Sequence, residues 1–156
     1  MNYDEAMKPG KVEFGQMPPQ AFLLGLLSAF DNRYQASADN FMKEMTWKQF
    51  FAVICINLCR EAPTLNDLSE VMGSSHQNVK QILLKLESKG FITMVTDGKD
   101  RRKQRVALTE KCRKFCETND ARSRGIIGRI FEGIEESKIM TTIETIMAME
   151  RNVSGL

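Results

Sequence analysis

The sequence has few of the side chains on which most catalytic and metal sites depend. It contains a single histidine, His76, with no second histidine to pair with it and no cysteine beside it. It also lacks a glycine-rich phosphate loop, a G-x-S-x-G elbow and an H-E-x-x-H helix. These absences argue against nucleophilic and metal-dependent enzymes. We therefore predict no catalytic residue, no metal and no cofactor.

Long apolar runs are also absent. No stretch approaches the roughly 18 uninterrupted apolar residues that a membrane helix needs, and residues 1–15 lack the apolar segment of a signal peptide. We expect a soluble, cytoplasmic protein with no membrane partner. The chain of 156 residues, 42% of them apolar, is long enough to form one packed core.

A disulfide framework is not expected. The four cysteines form two pairs of spacing four, Cys55 with Cys59 and Cys112 with Cys116, each inside a segment with a helical pattern. Free cysteine in such segments is common in reducing compartments. Basic neighbours of Cys112 and Cys116 can favour a reactive thiolate. Two interpretations stay open: four structural thiols, or an oxidant sensor at Cys112 or Cys116.

Positive charge is concentrated in one part of the chain. The net charge is only +2, yet residues 74–105 contain eight lysines and arginines against three acidic residues. This window therefore carries +5, and the remainder carries −3. A localised basic face suits a polyanionic partner such as nucleic acid.

Hydrophobic periodicity predicts six helices. They cover residues 20–40, 46–62, 65–73, 75–90, 110–132 and 136–151. Thr46 and Gln49 form a capping-box pattern at the second helix, Asn66 can cap the third, and Ser75 can cap the fourth. The second helix is apolar over a wide arc that includes Leu58, so we expect it to be largely buried.

The third and fourth predicted helices are joined by a tight turn at Gly73, which indicates a helix-turn-helix. Two β-rich segments follow, Phe91–Thr96 and Arg105–Leu108, with a basic loop, Asp97–Gln104, between them. A hairpin directly after a helix-turn-helix is a wing. The predicted fold class is mainly α with a small β-hairpin, a winged helix-turn-helix.

This pattern predicts three regions. Residues 1–19 form an irregular N-terminal arm, and residues 46–109 form the winged unit. Residues 20–45 and 110–156 contain more apolar helix surface than the winged unit can cover. We expect these outer helices to bury each other across a two-fold axis in a homodimer.

Two segments resemble the MarR family of transcription regulators. Residues 100–109, DRRKQRVALT, are similar to the wing motif of the family, and residues 83–92, LLKLESKGFI, resemble the end of its recognition helix. The resemblance covers about residues 19–151 and is strongest over 46–109. It implies a DNA-binding transcription repressor that acts as a homodimer. One departure is Lys80-Gln81, where many members have Thr-Arg, so a guanine-reading arginine is absent.

The exposed side of the predicted recognition helix supplies the candidate DNA-binding residues. They are Ser74, Ser75, His76, Gln77, Asn78, Lys80 and Gln81. Gln77, Asn78 and Gln81 are the candidates for reading bases, since Asn and Gln can pair bidentately with adenine. The two serines stand at the helix N-terminus, where a phosphate can bind.

The resemblance implies a second DNA contact, in the wing. The residues concerned are Lys99, Asp100, Arg101, Arg102 and Lys103. It implies that Asp100 pairs with an arginine to fix the loop, that Arg102 approaches the minor groove, and that the remaining three contact phosphates.

The resemblance also implies a small-molecule effector pocket between the outer helices and the winged unit. The candidate lining residues are Phe22, Leu26, Phe30, Trp47 and Phe51, which are equally compatible with packed core. A rival interpretation of the whole chain is a winged-helix module that binds a protein partner without reading DNA. The basic window favours the DNA-binding interpretation.

Overall fold

The computed structural model describes residues 17–98, 100 and 103–155, with the backbone alone at Phe41. Within these residues the chain forms six helices and a two-stranded sheet. The elements are α1 (Pro19–Phe41), α2 (Trp47–Leu58), α3 (Leu65–Val71), α4 (His76–Ser88), β1 (Ile92–Thr96), β2 (Gln104–Leu108), α5 (Glu110–Ile130) and α6 (Glu136–Val153). The predicted fold class is confirmed. Residues 1–16 of the predicted N-terminal arm lie outside the described part.

The chain divides into two compact units, Met1–Cys112 and Arg113–Leu156. The first contains the helix-turn-helix and the hairpin, and the second contains most of α5 and all of α6. No helix in the described part is long and apolar enough to cross a lipid bilayer.

The core of the first unit forms where α2, α3 and α4 meet the hairpin. On α4 the side chains at spacings of three and four are buried, and between α4 and β1 the ring of Phe91 is only 1% exposed. The strands pair antiparallel with Ile92 opposite Leu108, which turns Ile92 and Val106 into this core. The largest fully buried side chains are Phe91, Met45, Leu68, Leu83, Leu86, Ile92, Val53, Val79, Val106 and Cys112.

The predicted cap at the start of α2 is present. The Gln49 backbone N–H donates to Thr46 Oγ1 at 3.3 Å, and Gln49 Oε1 accepts from the Thr46 N–H at 3.2 Å. This reciprocal pair satisfies two amides that the helix itself cannot satisfy. Ser75 likewise caps α4, accepting from the Asn78 N–H at 3.3 Å.

The cap predicted for α3 is wrong. Thr64, not Asn66, stands before the helix, and its hydroxyl accepts from the Asp67 N–H at 3.3 Å. The Asp67 carboxylate accepts from the Thr64 N–H at 2.8 Å. The hydrogen bonds with Thr64 lower the pKa of Asp67, because they favour its charged form. Thr64 is preferred because it lies three residues before Asp67, the spacing that this reciprocal box requires, whereas the residue three after Asn66 is Ser69.

Burial of α2 is narrower than the sequence predicts. The buried residues are Gln49, Ala52, Val53, Cys55 and Ile56, whereas Leu58 is 76% exposed. Residues two apart on a helix point about 200° from each other, so Leu58 cannot share the direction of Ile56. The apolar arc is therefore wider than the face that the first unit covers.

The hairpin is extended by a short piece of the α2–α3 connection. Thr64 forms an isolated antiparallel bridge with Arg105, and the Val106 N–H donates to the Pro63 carbonyl at 2.8 Å. Pro63 is compatible with this edge position because only its carbonyl is used. The start of α3 is thereby fixed against β2.

In the second unit, α6 carries an apolar face with no buried residue. Its large exposed apolar side chains are Met140, Ile143, Met147 and Val153. Spacings of three and four place the first three on one side of the helix. The homodimer expected from this surplus apolar surface stays a prediction.

Candidate nucleic-acid interface

Helix α4 presents a polar face opposite its buried side chains. His76, Gln77, Asn78, Lys80 and Gln81 are exposed, as the sequence predicted. Because the other side of the helix is anchored by Val79 and three further buried residues, these side chains are held in one direction. Their contact with DNA stays a prediction.

The turn before α4 needs a residue in the left-handed region. Gly73 has φ +57°, and its N–H donates to the Glu70 carbonyl at 3.1 Å while the Ser74 N–H donates to the Ser69 carbonyl at 3.0 Å. This is a helix stop that glycine adopts without steric cost. The turn sets the direction in which α4 leaves α3.

Two amides on α4 remain available for a ligand. Asn78 Nδ2 donates to Ser74 Oγ at 2.7 Å, so this side chain is partly engaged. Within the described part of the chain, the side chains of Gln77 and Gln81 make no hydrogen bond. A spacing of four puts them on one side of the helix. They form a pair of unoccupied donor and acceptor groups suited to base edges.

Only part of the predicted wing site can be placed. Lys99, Arg101 and Arg102 lie outside the described residues, while Asp100 is half-buried and Lys103 is exposed. The Lys103 N–H donates to the Asp100 carbonyl at 2.9 Å. The pairing of Asp100 with an arginine stays a prediction.

The main fixed point of the hairpin is Asp97, which was predicted only to begin the basic loop. Asp97 is 6% exposed; its Oδ1 accepts from the Asp100 N–H at 2.8 Å and its Oδ2 accepts from Arg105 Nε. Arg105 Nη1 also donates to the Ala62 carbonyl at 2.7 Å. The hydrogen bond with Asp97 raises the pKa of Arg105. The hairpin register could have pointed to this ion pair. When Thr96 pairs with Gln104, the oppositely charged Asp97 and Arg105 become diagonal neighbours across the hairpin.

Not every positive charge in the basic window is free for a partner. Lys89 Nζ donates to the Glu44 carbonyl at 2.8 Å and to Gln49 Oε1 at 3.1 Å, so it binds the end of α4 to the start of α2. Lys111 Nζ in turn donates to the Lys89 carbonyl at 2.8 Å and lies 4.6 Å from the centre of the Phe91 ring. Lys89 stands at the C-terminal end of α4, where the helix dipole favours a positive charge. Lys89 therefore positions α4.

A cavity of about 440 Å³ lies beside the N-terminal end of α4. One wall is aromatic: Trp47 stacks on Phe51 at 6.1 Å between ring centres, and Tyr34 meets Trp47 edge-on at 4.6 Å. Burial raises the pKa of Tyr34, so its hydroxyl stays neutral. The lining of the cavity also includes Ser74 and Asn78. The cavity thus borders the helix that presents the candidate base-reading residues.

Two of the five predicted pocket residues, Trp47 and Phe51, line this cavity. Phe22 is buried and Leu26 is half-buried, and neither borders it. Phe30 is 53% exposed and stacks on Tyr34 at 6.0 Å, also outside the cavity. Their assignment to an effector pocket stays a prediction.

The cysteines differ in exposure. Cys55 and Cys112 are buried, and Cys59 and Cys116 are half-buried. Burial is the main cause that raises the pKa of Cys55, which keeps it a thiol. Complete burial of Cys112 limits access of an oxidant, so Cys116 is the more accessible of the two candidate redox residues.

Comparison with known proteins agrees with this geometry. Residues 45–103 match the MarR family model. A MarR/EmrR family transcriptional regulator from Acinetobacter has the same fold, with a TM-score of 0.79 and 13% identity over 90% of this chain and 100% of that chain. MepR of S. aureus, solved in complex with DNA, has a TM-score of 0.74 and 18% identity over 82% and 95% of the two chains.

A third solved structure is BpsR of Bordetella bronchiseptica, whose DNA binding is regulated by 6-hydroxynicotinic acid. Its TM-score is 0.70, with 20% identity over 82% of this chain and 98% of that chain. Residues 45–103 therefore resemble the MarR family, and the chain has the winged helix-turn-helix fold of these solved MarR-family structures.

Proposed function

We propose that the protein is a sequence-specific DNA-binding repressor, not an enzyme, that acts in the cytoplasm as a homodimer on a pseudo-palindromic operator. The observation that carries the proposal is the pair of unengaged amides of Gln77 and Gln81 on the exposed face of α4. An α-helix of this kind fits the major groove, and the hairpin that follows α4 in the chain would act as a wing at the adjacent minor groove. The DNA complex of MepR, which has the same fold, supports this proposal.

The homodimer is supported by the exposed apolar face of α6. Met140, Ile143 and Met147 are each close to half exposed in a single chain. Burying such a face against a second copy removes apolar surface from water. A two-fold axis then presents two α4 helices to successive major grooves, which is why the operator is expected to be a pseudo-palindrome.

The proposal is tested by selecting duplexes from a randomised DNA pool with the purified protein. The selected and the scrambled duplexes are then compared by fluorescence anisotropy over a salt series. We expect a preference of roughly a thousandfold or more for the selected duplex. Equal and steeply salt-dependent binding to both duplexes would mean that the protein binds DNA only through its phosphates, without reading the sequence. Absence of binding to either would favour a module that binds a protein partner.

The effector that releases the DNA is proposed to be an aromatic carboxylate bound in the cavity beside α4. Trp47, Phe51 and Tyr34 offer flat faces and edges for an aromatic ring. The ammonium of Lys48, also in the wall, has no partner within the described residues and can receive a carboxylate. The regulation of BpsR by 6-hydroxynicotinic acid supports this class of ligand.

Trp47 gives a direct test, because it is the only tryptophan of the chain and lines the cavity. We expect 6-hydroxynicotinic acid to change its fluorescence on binding. Lys48→Gln should weaken that binding by roughly threefold, since an exposed ion pair contributes little. Binding of the uncharged 6-hydroxynicotinamide should not change.

The matched control is Lys43→Gln, which removes an exposed lysine outside the cavity wall. Equal weakening by both variants would mean that net charge attracts the acid. If Lys48→Gln binds 6-hydroxynicotinic acid with unaltered affinity, Lys48 does not contact the carboxylate. Response to oxidants is a separate alternative, and it fails if a variant without Cys112 and Cys116 responds normally.

A further inference from the structure

The hairpin is held in place by a short chain of contacts that crosses from the wing to the α2–α3 connection. Asp97 uses both carboxylate oxygens, one for the Asp100 N–H at 2.8 Å and the other for Arg105 Nε. The same guanidinium reaches the Ala62 carbonyl at 2.7 Å. We name the contact of Asp97, Arg105 and Ala62 the wing clasp.

The wing clasp is unusual in its burial and in its reach. The Asp97 side chain is 6% exposed and that of Arg105 is 32% exposed, so the carboxylate is withdrawn from water while the guanidinium keeps partial contact with it. Ala62 lies 43 residues before Arg105 in the chain. A partly buried, charge-assisted contact resists opening far better than an ion pair on an open surface. The clasp therefore fixes the hairpin relative to a distant segment.

That distant segment leads directly into the helix-turn-helix. Thr64 caps α3 through Asp67 and also bridges to Arg105, and the Pro63 carbonyl accepts from the Val106 N–H at 2.8 Å. Arg105 also lowers the pKa of Asp67 electrostatically, after the larger effect of the Thr64 hydrogen bonds. Arg105 thus connects β2 with the hairpin turn and the α2–α3 connection through its side chain, and with Thr64 through its backbone.

We propose that Asp97 is a positioning residue for DNA recognition, which sets the distance between α4 and the wing loop through Arg105 and Ala62. This inference rests on the proposed function. Asp97 does not itself contact DNA, since it is buried and negatively charged. Its role is to keep the basic loop, of which Lys103 is a described member, at the spacing that two neighbouring grooves require.

The sign of the effect separates this role from simple electrostatics. Asp97→Asn removes a negative charge from a DNA-facing hairpin, so charge alone predicts tighter binding. The wing clasp predicts the opposite, because a neutral amide holds the guanidinium much less strongly. We expect roughly tenfold weaker binding to the selected duplex, comparable to the loss of one groove contact.

The matched control is Asp120→Asn, which makes the same change of charge in an exposed ion pair with Arg124, at 2.5 Å on α5. It should leave DNA affinity unchanged. Arg105→Lys keeps the positive charge but loses the planar fork that reaches both partners, so it should weaken binding as Asp97→Asn does. Thermal unfolding of each variant identifies any general loss of fold.

Hydroxyl-radical footprinting distinguishes a displaced wing from a weaker protein. In Asp97→Asn, the minor-groove protection at the ends of the site should fade while the major-groove contacts of α4 persist at saturating protein. Unchanged or tighter binding, or equal losses in Asp97→Asn and Asp120→Asn, would overturn the inference alone. Failure of the wild-type protein to select any duplex would instead overturn the proposed function, and this inference with it.

Discussion

The double variant Gln77→Ala, Gln81→Ala is expected to bind the duplex selected by the wild-type protein with an affinity at least roughly a hundredfold lower than that of the wild-type protein. Each bidentate contact with a base contributes about 1–3 kcal/mol to binding. Both side chains are exposed and make no hydrogen bond within the described residues, so nothing internal is lost when they are shortened. Alanine also favours the helix. The measurement is anisotropy with the selected and the scrambled duplex.

Affinity for the scrambled duplex should stay the same, since no charge is removed and phosphate contacts dominate that binding. Lys80→Ala gives the opposite pattern: affinity falls for both duplexes, and the slope against salt concentration decreases by about one. Gln20→Ala, at an exposed position on α1, serves as the matched control. Retained selectivity in the double variant would place base recognition elsewhere.

Leu68→Ala is expected to lower the free energy of unfolding by about 2–5 kcal/mol. Leu68 is fully buried on α3, at the centre of the helix-turn-helix, so the substitution leaves a cavity that rigid neighbours cannot fill. The free energy of unfolding of a small domain is only about 5–15 kcal/mol in total. The measurement is the urea concentration at the midpoint of unfolding, compared between variants whose unfolding free energy depends on urea concentration with the same slope.

Leu58→Ala makes the same chemical change at a leucine that is 76% exposed. It should alter the free energy of unfolding by less than about 0.5 kcal/mol. A large effect at Leu58 would show that another surface covers the end of α2, such as a second copy of the chain. A small effect at Leu68 would contradict the packing of α3.

Elements whose cause lies within a few residues were predicted well from the sequence. The α4 helix follows from the Ser75 cap and from apolar residues at spacings of three and four. The hairpin follows from two β-rich segments around a loop that contains Gly98. In each case the signal and the structure it specifies occupy the same short segment.

Contacts between distant segments were not predicted. The partner of Arg105 in the α2–α3 connection is a backbone carbonyl, which no side-chain pattern marks. Lys89 was counted with the basic face, yet its ammonium is engaged by Glu44 and Gln49. Likewise, periodicity identifies Phe22 and Trp47 equally as apolar, and only tertiary packing decides that Trp47 borders the cavity.

The small hydrogen bond between Asn78 and Ser74 has a thermodynamic consequence. Both residues belong to the cavity wall; Asn78 lies in the first turn of α4, and Ser74 directly precedes the cap of that helix. A ligand and a DNA duplex that draw on the same two side chains have linked affinities, and linkage is reciprocal. If the ligand weakens DNA binding by a given factor, DNA weakens ligand binding by that same factor. Under the proposed repressor function, the protein bound to its strongest operators needs the highest ligand concentration for release, so that one ligand gradient releases genes in order.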